Sequence, residues 1–229
     1  MLFRSVREAI IVAVWNTPKR AHEYVPQRAV LSSIGTHREA AMRKTASEFK
    51  IKLESPDWRL SDAYLNFLIE ELKPFIDREY RTFTNRDNTF IMGSSAGAMI
   101  SLCAISEHPN VFGGAACVST HWPIGDGVLV EYFRNRLPDP ATHRIYFDFG
   151  TETLDKNYEP YQLKMDAAMK RHGYVAGTNW LTCKFQGAEH SEKDWRKRVH
   201  VPLEFLLGRP TREPSPAATE SNQHTADER

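Results

Sequence analysis

The stretch that most restricts this chain runs from residue 89 to residue 105. It reads Thr-Phe-Ile-Met-Gly-Ser-Ser-Ala-Gly-Ala-Met-Ile-Ser-Leu-Cys-Ala-Ile. Inside it, Gly93-Ser94-Ser95-Ala96-Gly97 fits the pattern G-x-S-x-G, with a short apolar run before it and a helix-forming run after it. A chain that changes from strand to helix within so few residues must turn sharply. Glycines at 93 and 97 leave room for close backbone approach, and Ser95 is left exposed at the apex. That context is what a nucleophile elbow requires.

The rest of the chain offers a scaffold for such a turn. Apolar runs at 9–15, 89–92, 111–118, 144–149 and 180–185 are strand-sized and continuous, as expected of parallel strands buried on both faces. Helical patterns fall between them. Over 61–80, Leu65, Leu68, Ile69, Leu72, Phe75 and Ile76 recur at helical spacing, with Ser61 or Asp62 as cap and Pro74 expected to kink the helix or end it early. A helix is expected from Pro160 to Gly173, and another from Ser191 to Gly208, with Asp194 as a capping-box partner. Strand–helix alternation predicts an α/β fold with a mostly parallel sheet flanked by helices. Residues 26–58 stand outside the pattern, as a cap-like excursion with a helix at 37–49. Residues 209–229 carry Pro, Ser, Thr and charge with no large apolar side chain, and are expected to be a disordered tail after a domain at 1–208.

Composition excludes several classes. The 229 residues are 41% hydrophobic and 26% charged, enough for one good core. A net charge of +1 sets up no field for nucleic acid or an anionic membrane. No apolar run is long enough to span a bilayer, and the run at 9–15 lacks a signal peptide's layout. The chain as written gives no address, and a cytoplasmic location is the default. Cys103, Cys117 and Cys183 lie in apolar runs without paired spacing and read as buried free thiols.

A serine hydroxyl is a poor nucleophile at neutral pH. It needs a base, and the base needs a group to orient it. His190 lies in Gln186-Gly-Ala-Glu-His190, a loop between the last expected strand and the last helix, where a base belongs. The loop after 144–149, Gly150-Thr-Glu-Thr-Leu-Asp155, offers Asp155 as the orienting carboxylate, with Glu152 second. Asp155 also reads as a plain helix cap. The backbone N–H of Ala96, next to Ser95 at the start of a helix, is an oxyanion donor. His121 and Trp122 follow a strand and are expected to face the cleft, with core packing an equal expectation for Trp122. Arg20 and Glu23 follow the first strand and suit either a polar substrate or a structural ion pair. His121, Asp148 and His190 lack metal-ligand spacing.

Taken together, these residues resemble the putative esterase family of α/β-hydrolases, which includes enterochelin esterase-like and feruloyl esterase-like proteins. The carriers are Ile11-Val-Ala-Val-Trp-Asn16, Leu60-Ser-Asp-Ala-Tyr-Leu65, Met92-Gly-Ser-Ser-Ala-Gly97, Ser119-Thr-His-Trp122, Gly150-Thr-Glu, and Gly187-Ala-Glu-His190 with Trp195. The resemblance implies hydrolysis of a small-molecule carboxylic ester through an acyl-enzyme, without metal or cofactor. It also implies strands ahead of 9–15, one of them ending in a loop that supplies a second oxyanion donor. This sequence holds no such segment, so it is expected to be N-terminally truncated relative to the family, with a gap in its sheet. Two other readings stay open: a non-catalytic hydrolase-like binding protein with an incomplete oxyanion hole, and an acyltransferase using the same triad. Neither the ester nor the oligomeric state is legible.

Overall fold

A computed structural model describes residues 6–208. The tail expected at 209–229 lies outside the described residues. In chain order the helices are α1 (Arg20–Tyr24), α2 (Gln27–Leu31), α3 (Glu39–Glu48), α4 (Ser61–Asn66), α5 (Lys73–Glu79), α6 (Ala96–Glu107), α7 (Val128–Phe133), α8 (Glu159–Arg171), α9 (Glu192–Arg198) and α10 (His200–Leu207). The strands are β1 (Phe90–Ser94), β2 (Gly114–Val118), β3 (Arg144–Gly150) and β4 (Trp180–Phe185). They form one parallel sheet in the order β1-β2-β3-β4. This is the expected α/β architecture.

Strands that pair with their sequence neighbours through right-handed crossovers place the crossover helices on one face of the sheet. Here α6, α7 and α8 are those helices. Ile91, Ala115, Cys117, Ile145 and Phe147 meet them in the main core, with Met99, Leu102, Phe133 and Met165. The opposite face is smaller. There Ala116, Val118 and Tyr146 pack under Leu206 of α10. Cys103 and Cys117 are buried, Cys183 is half-buried, and all three are free.

Register places the site. Ser94 pairs with Val118, Val118 with Asp148, and Asp148 with Cys183, so the carboxyl ends of the four strands lie close to level. Ser95, Ser119, the 151–155 loop and the 186–190 loop all leave from that end. Crevices of open parallel sheets form there.

One local expectation needs correction and another is narrowed. The run at 9–15 is not a strand: it has no ladder partner, and Ile10, Ile11, Val12 and Trp15 are 51%, 78%, 41% and 93% exposed. A strand exists only against a partner's hydrogen bonds, and between the Arg7 amide and the amide of Arg20 no described backbone bond is made. The outer edge of β1 is likewise open among the described residues. Pro74, in turn, does not end its helix. Residues Phe67–Leu72 widen to a π-helical turn and the chain runs on through α5 to Glu79. The wider turn relieves the clash between the proline ring and the preceding carbonyls. The excursion at 26–58 is partly helical, as α2 and α3, and buries Ala29, Val30, Met42, Ile51 and Trp58 in the main core.

Candidate active site

Ser95 stands between β1 and α6 with φ 58° and ψ −117°, a conformation that a non-glycine residue adopts only under constraint. The constraint is local. The Ser95 amide donates to the Val118 carbonyl at 2.9 Å, tying the elbow to β2. A Cβ at Gly93 would collide with the Gly97 carbonyl, whereas one at Gly97 would meet nothing within 4 Å. The close approach therefore needs glycine at 93 and not at 97. The amide of Ala96, the first residue of α6, has no acceptor among the described residues and sits at the positive end of the helix.

The other two sequence-predicted groups meet. His190 Nδ1 lies 2.5 Å from Asp155 Oδ1, with the carboxylate fully enclosed and the imidazole nearly so. Backbone stitching brings them together. The amides of Thr151 and Glu152 both donate to the Ala188 carbonyl at 3.0 Å. Thr151 Oγ1 accepts from the Gly187 amide, and Thr153 Oγ1 from the His190 amide, each at 2.8 Å. Gly150 is required here, because a Cβ would run into the Ala188 carbonyl. The Glu152 carboxylate stays exposed and accepts only from Thr151 Oγ1 among the described residues, so Asp155 is the carboxylate against the imidazole.

Asp155 is held by more than histidine. Its Oδ2 accepts from the Gly150 amide and from Ser119 Oγ, both at 2.6 Å. Burial alone raises a carboxyl, but hydrogen bonds from His190, Ser119 and Gly150 outweigh it and hold Asp155 below the usual carboxylate range. Ser119 spends its whole capacity on this site. It donates to Asp155, and accepts from Trp195 Nε1 at 3.0 Å and Arg198 Nη2 at 2.8 Å. Arg198, 3% exposed, also grips Asp148 through Nε at 3.2 Å and Nη2 at 3.0 Å. Tyr146 donates to Asp148 at 2.9 Å. The ring of Trp195 stands edge-on to His190 with centroids 4.9 Å apart, and Tyr158 does the same from another side at 5.7 Å.

Other expectations resolve less favourably. No hydrogen bond joins Ser95 Oγ to His190 in this structure. Trp122 leaves the cleft: it is fully buried in the main core, packs on Phe147 and donates to Gln162 at 2.8 Å, so core packing is its role. Arg20 stacks on Tyr24 and makes no ion pair with Glu23, which accepts from Thr17. Ser191 caps α9 as expected, but the Asp194 carboxylate reaches back to the Glu189 amide and not to that of Ser191. His121 remains near the histidine, and its Nδ1 lies 2.7 Å from Tyr158 Oη. Among the described residues no three His, Cys, Asp or Glu side chains group as metal ligands. No helix there is long and apolar enough to cross a membrane.

The roles of Ser119, Arg198 and Tyr158 escaped the sequence reading. A helix-borne arginine among Lys193, Arg196 and Lys197 looks like solvated surface. The one available signal was spacing: Arg198 lies three residues after Trp195, on the same helix face.

Residues 6–205 match the family described as Putative esterase. Carboxylesterase SOBER1 of Arabidopsis thaliana is 24% identical over 147 residues, covering 63% of this chain and 58% of that protein. An uncharacterized Bacillus subtilis (strain 168) protein, YjcH, is 33% identical over 101 residues, covering 44% of this chain and 40% of its own. The chain thus spans about half the length of these curated relatives. Among solved structures, the enterobactin and salmochelin hydrolase IroE superposes with a TM-score of 0.56 at 15% identity, covering 85% of this chain and 67% of that one. A likeness at that identity speaks for the fold alone.

Proposed function

The chain belongs to the putative esterase family, and from that premise we propose that it is a serine hydrolase of carboxylic esters. Ser95 Oγ attacks the ester carbonyl. His190 takes the hydroxyl proton at Nε2, the nitrogen left free when Nδ1–H faces Asp155, and returns it to the departing alcohol. The alcohol leaves and an acyl-Ser95 ester remains. Water then gives a proton to His190 as its oxygen attacks the acyl carbon; the acyl–Oγ bond breaks, His190 returns the proton to Ser95 Oγ, and the acid leaves. Asp155 stays ionised, keeps the productive tautomer and stabilises the imidazolium. The Ala96 N–H donates to the oxyanion in both steps.

The observation that carries this reading is the buried His190–Asp155 pair at 2.5 Å, on loops that leave the same end of the sheet as Ser95. A carboxylate already accepting from Ser119 and Gly150, and bonded to an imidazole, is preorganised for a base in a way that a plain helix cap is not. Turnover of p-nitrophenyl acetate and butanoate tests it. Wild type should hydrolyse them and Ser95→Ala should fall to background. Unchanged turnover in that variant removes Ser95 from the mechanism. Adding alcohol acceptors and analysing products separates hydrolysis from acyl transfer through the same intermediate.

A second reading has its own support. The open outer edge of β1 borders the elbow, and Ala96 is the one oxyanion donor identified among the described residues. Loss of a donor costs about 3–4 kcal/mol in the transition state. Under this reading the chain binds ligands without turning them over. A fluorophosphonate probe distinguishes the two: rapid labelling of Ser95 in folded protein supports the hydrolase, and no labelling supports the binding protein.

A further inference from the structure

His121 lies in the loop that leaves β2, two residues past Ser119. Its ring is held edge-on between Phe49 (centroids 5.6 Å apart, planes at 82°) and Tyr158 (5.8 Å, 77°). Phe49 comes from the end of α3, in the excursion outside the strand–helix pattern. Tyr158 stands edge-on to His190 in turn. The imidazole of His121 therefore sits one ring beyond the proposed base, in a fixed orientation.

Its tautomer follows from its partner. Tyr158 is fully buried, and its hydroxyl has no partner among the described residues except His121 Nδ1. The phenol's single proton goes to Nδ1, and an imidazole that accepts at Nδ1 carries its own proton on Nε2. Nε2 has no partner among the described residues, yet it is not one of the enclosed unpaired atoms. Burial, and then the neighbouring His190, push His121 down to about 4, so the ring is neutral near pH 7 and presents a single N–H. A ring kept for packing alone needs no free donor on its open side.

We propose that His121 is the specificity-determining residue of this site. Its Nε2–H donates to an oxygen of the ester other than the reacting carbonyl, so esters with an ether, hydroxyl or keto oxygen near the scissile group are favoured over plain alkyl esters. This rests on the ester-hydrolase reading above. Sites that hydrogen-bond a substrate group discriminate far better than apolar pockets, because a missing partner leaves the donor unpaired.

Two isosteric pairs test it: p-nitrophenyl butanoate against p-nitrophenyl methoxyacetate for the acyl side, and butyl acetate against 2-methoxyethyl acetate for the alcohol side. Comparing kcat/KM ratios between enzymes cancels intrinsic reactivity. His121→Phe should lower the ether-to-alkyl ratio about tenfold in one of the two pairs. His121→Gln, which keeps an N–H at similar reach, should recover most of it. Equal losses on both members of each pair, or no change in either ratio, overturn the proposal. A separate readout needs no turnover. In ¹⁵N-histidine spectra at pH 7, His121 should be neutral with its proton on Nε2, and Tyr158→Phe should disturb that state. A protonated or Nδ1–H ring overturns the proposal whether or not esters are cleaved. Failure of wild-type turnover together with failed probe labelling instead strikes the hydrolase reading.

Discussion

The two ends of the sheet differ sharply in how their polar groups are spent. On the β2–β4 side every element leaving the strands is tied to another. The 151–155 loop is stitched to the 186–190 loop, and Ser119, Trp195 and Arg198 close around Asp155 with no capacity left on the serine. On the β1 side the outer strand edge has no described partner, and the apolar run at 9–15 lies exposed outside any strand. The difference teaches where preorganisation resides. The acid–base half of the site is rigidly built. The half bordering β1 is held by the elbow's own geometry: Gly93, the Ser95 backbone and its bond to Val118.

Asp155→Asn attacks the built half at its centre and should have the largest effect. An amide in place of the carboxylate favours the wrong imidazole tautomer, and kcat should fall about 10³–10⁴-fold while the fold persists. A loss below tenfold, measured with p-nitrophenyl esters, would show that the tight loop pairing serves structure and not chemistry. Arg198→Met should act next, on stability. It leaves the enclosed Asp148 carboxylate without its cation, at a cost of about 3–5 kcal/mol, read as a lowered Tm. A shift within error would mean water reaches Asp148 and this side is looser than described.

Acid should separate the two sides more gently. His121 is held down to about 4, below the ordinary histidine value near 6.5. Between those values the unfolded chain binds a proton that the folded chain refuses, so stability declines as pH falls from about 6.5 towards 4. His121→Phe should flatten that part of a urea-midpoint curve against pH. Asp155 has the opposite character. Its depressed folded value supplies stability that is present above about pH 4 and lost as pH falls further. Identical curves for wild type and His121→Phe would place His121 in an open, solvated setting. The smallest change is expected on the sparse side. Ile11→Ser replaces a side chain that is 78% exposed, and stability should move by less than about 0.5 kcal/mol. A larger loss in thermal or urea unfolding would show that something covers the 9–15 run in solution.

Much of the molecule was legible beforehand because its signals are local. Continuous apolar runs mark strands that are buried on both faces, and four of the five occur where expected, within a few residues. The elbow announces itself in five residues. Asp155 and His190 could be singled out because each follows a strand, and parallel strands deliver their loops to one end. The fifth run failed for a reason no composition reveals. Residues 9–15 have every strand-like property except a neighbour, and pairing is a property of two segments. For Pro74 a kink and an early end were both open, and the helix widens ahead of the proline and runs on.

What the sequence determined by itself is the α/β alternation, the apex serine, and the order in which Ser95, Asp155 and His190 leave the sheet. Each follows from periodicity or from the special backbone freedom of a few glycines. Tertiary structure alone decided that Asp155 and not Glu152 faces the histidine, that Trp122 belongs to the core, and that Ser119 and Arg198 serve the acid. It also left 9–15 without a ladder. Those outcomes depend on which hydrogen-bonding groups meet once the loops close, and a hydrogen bond is short and directional enough that only the assembled geometry can choose its partners.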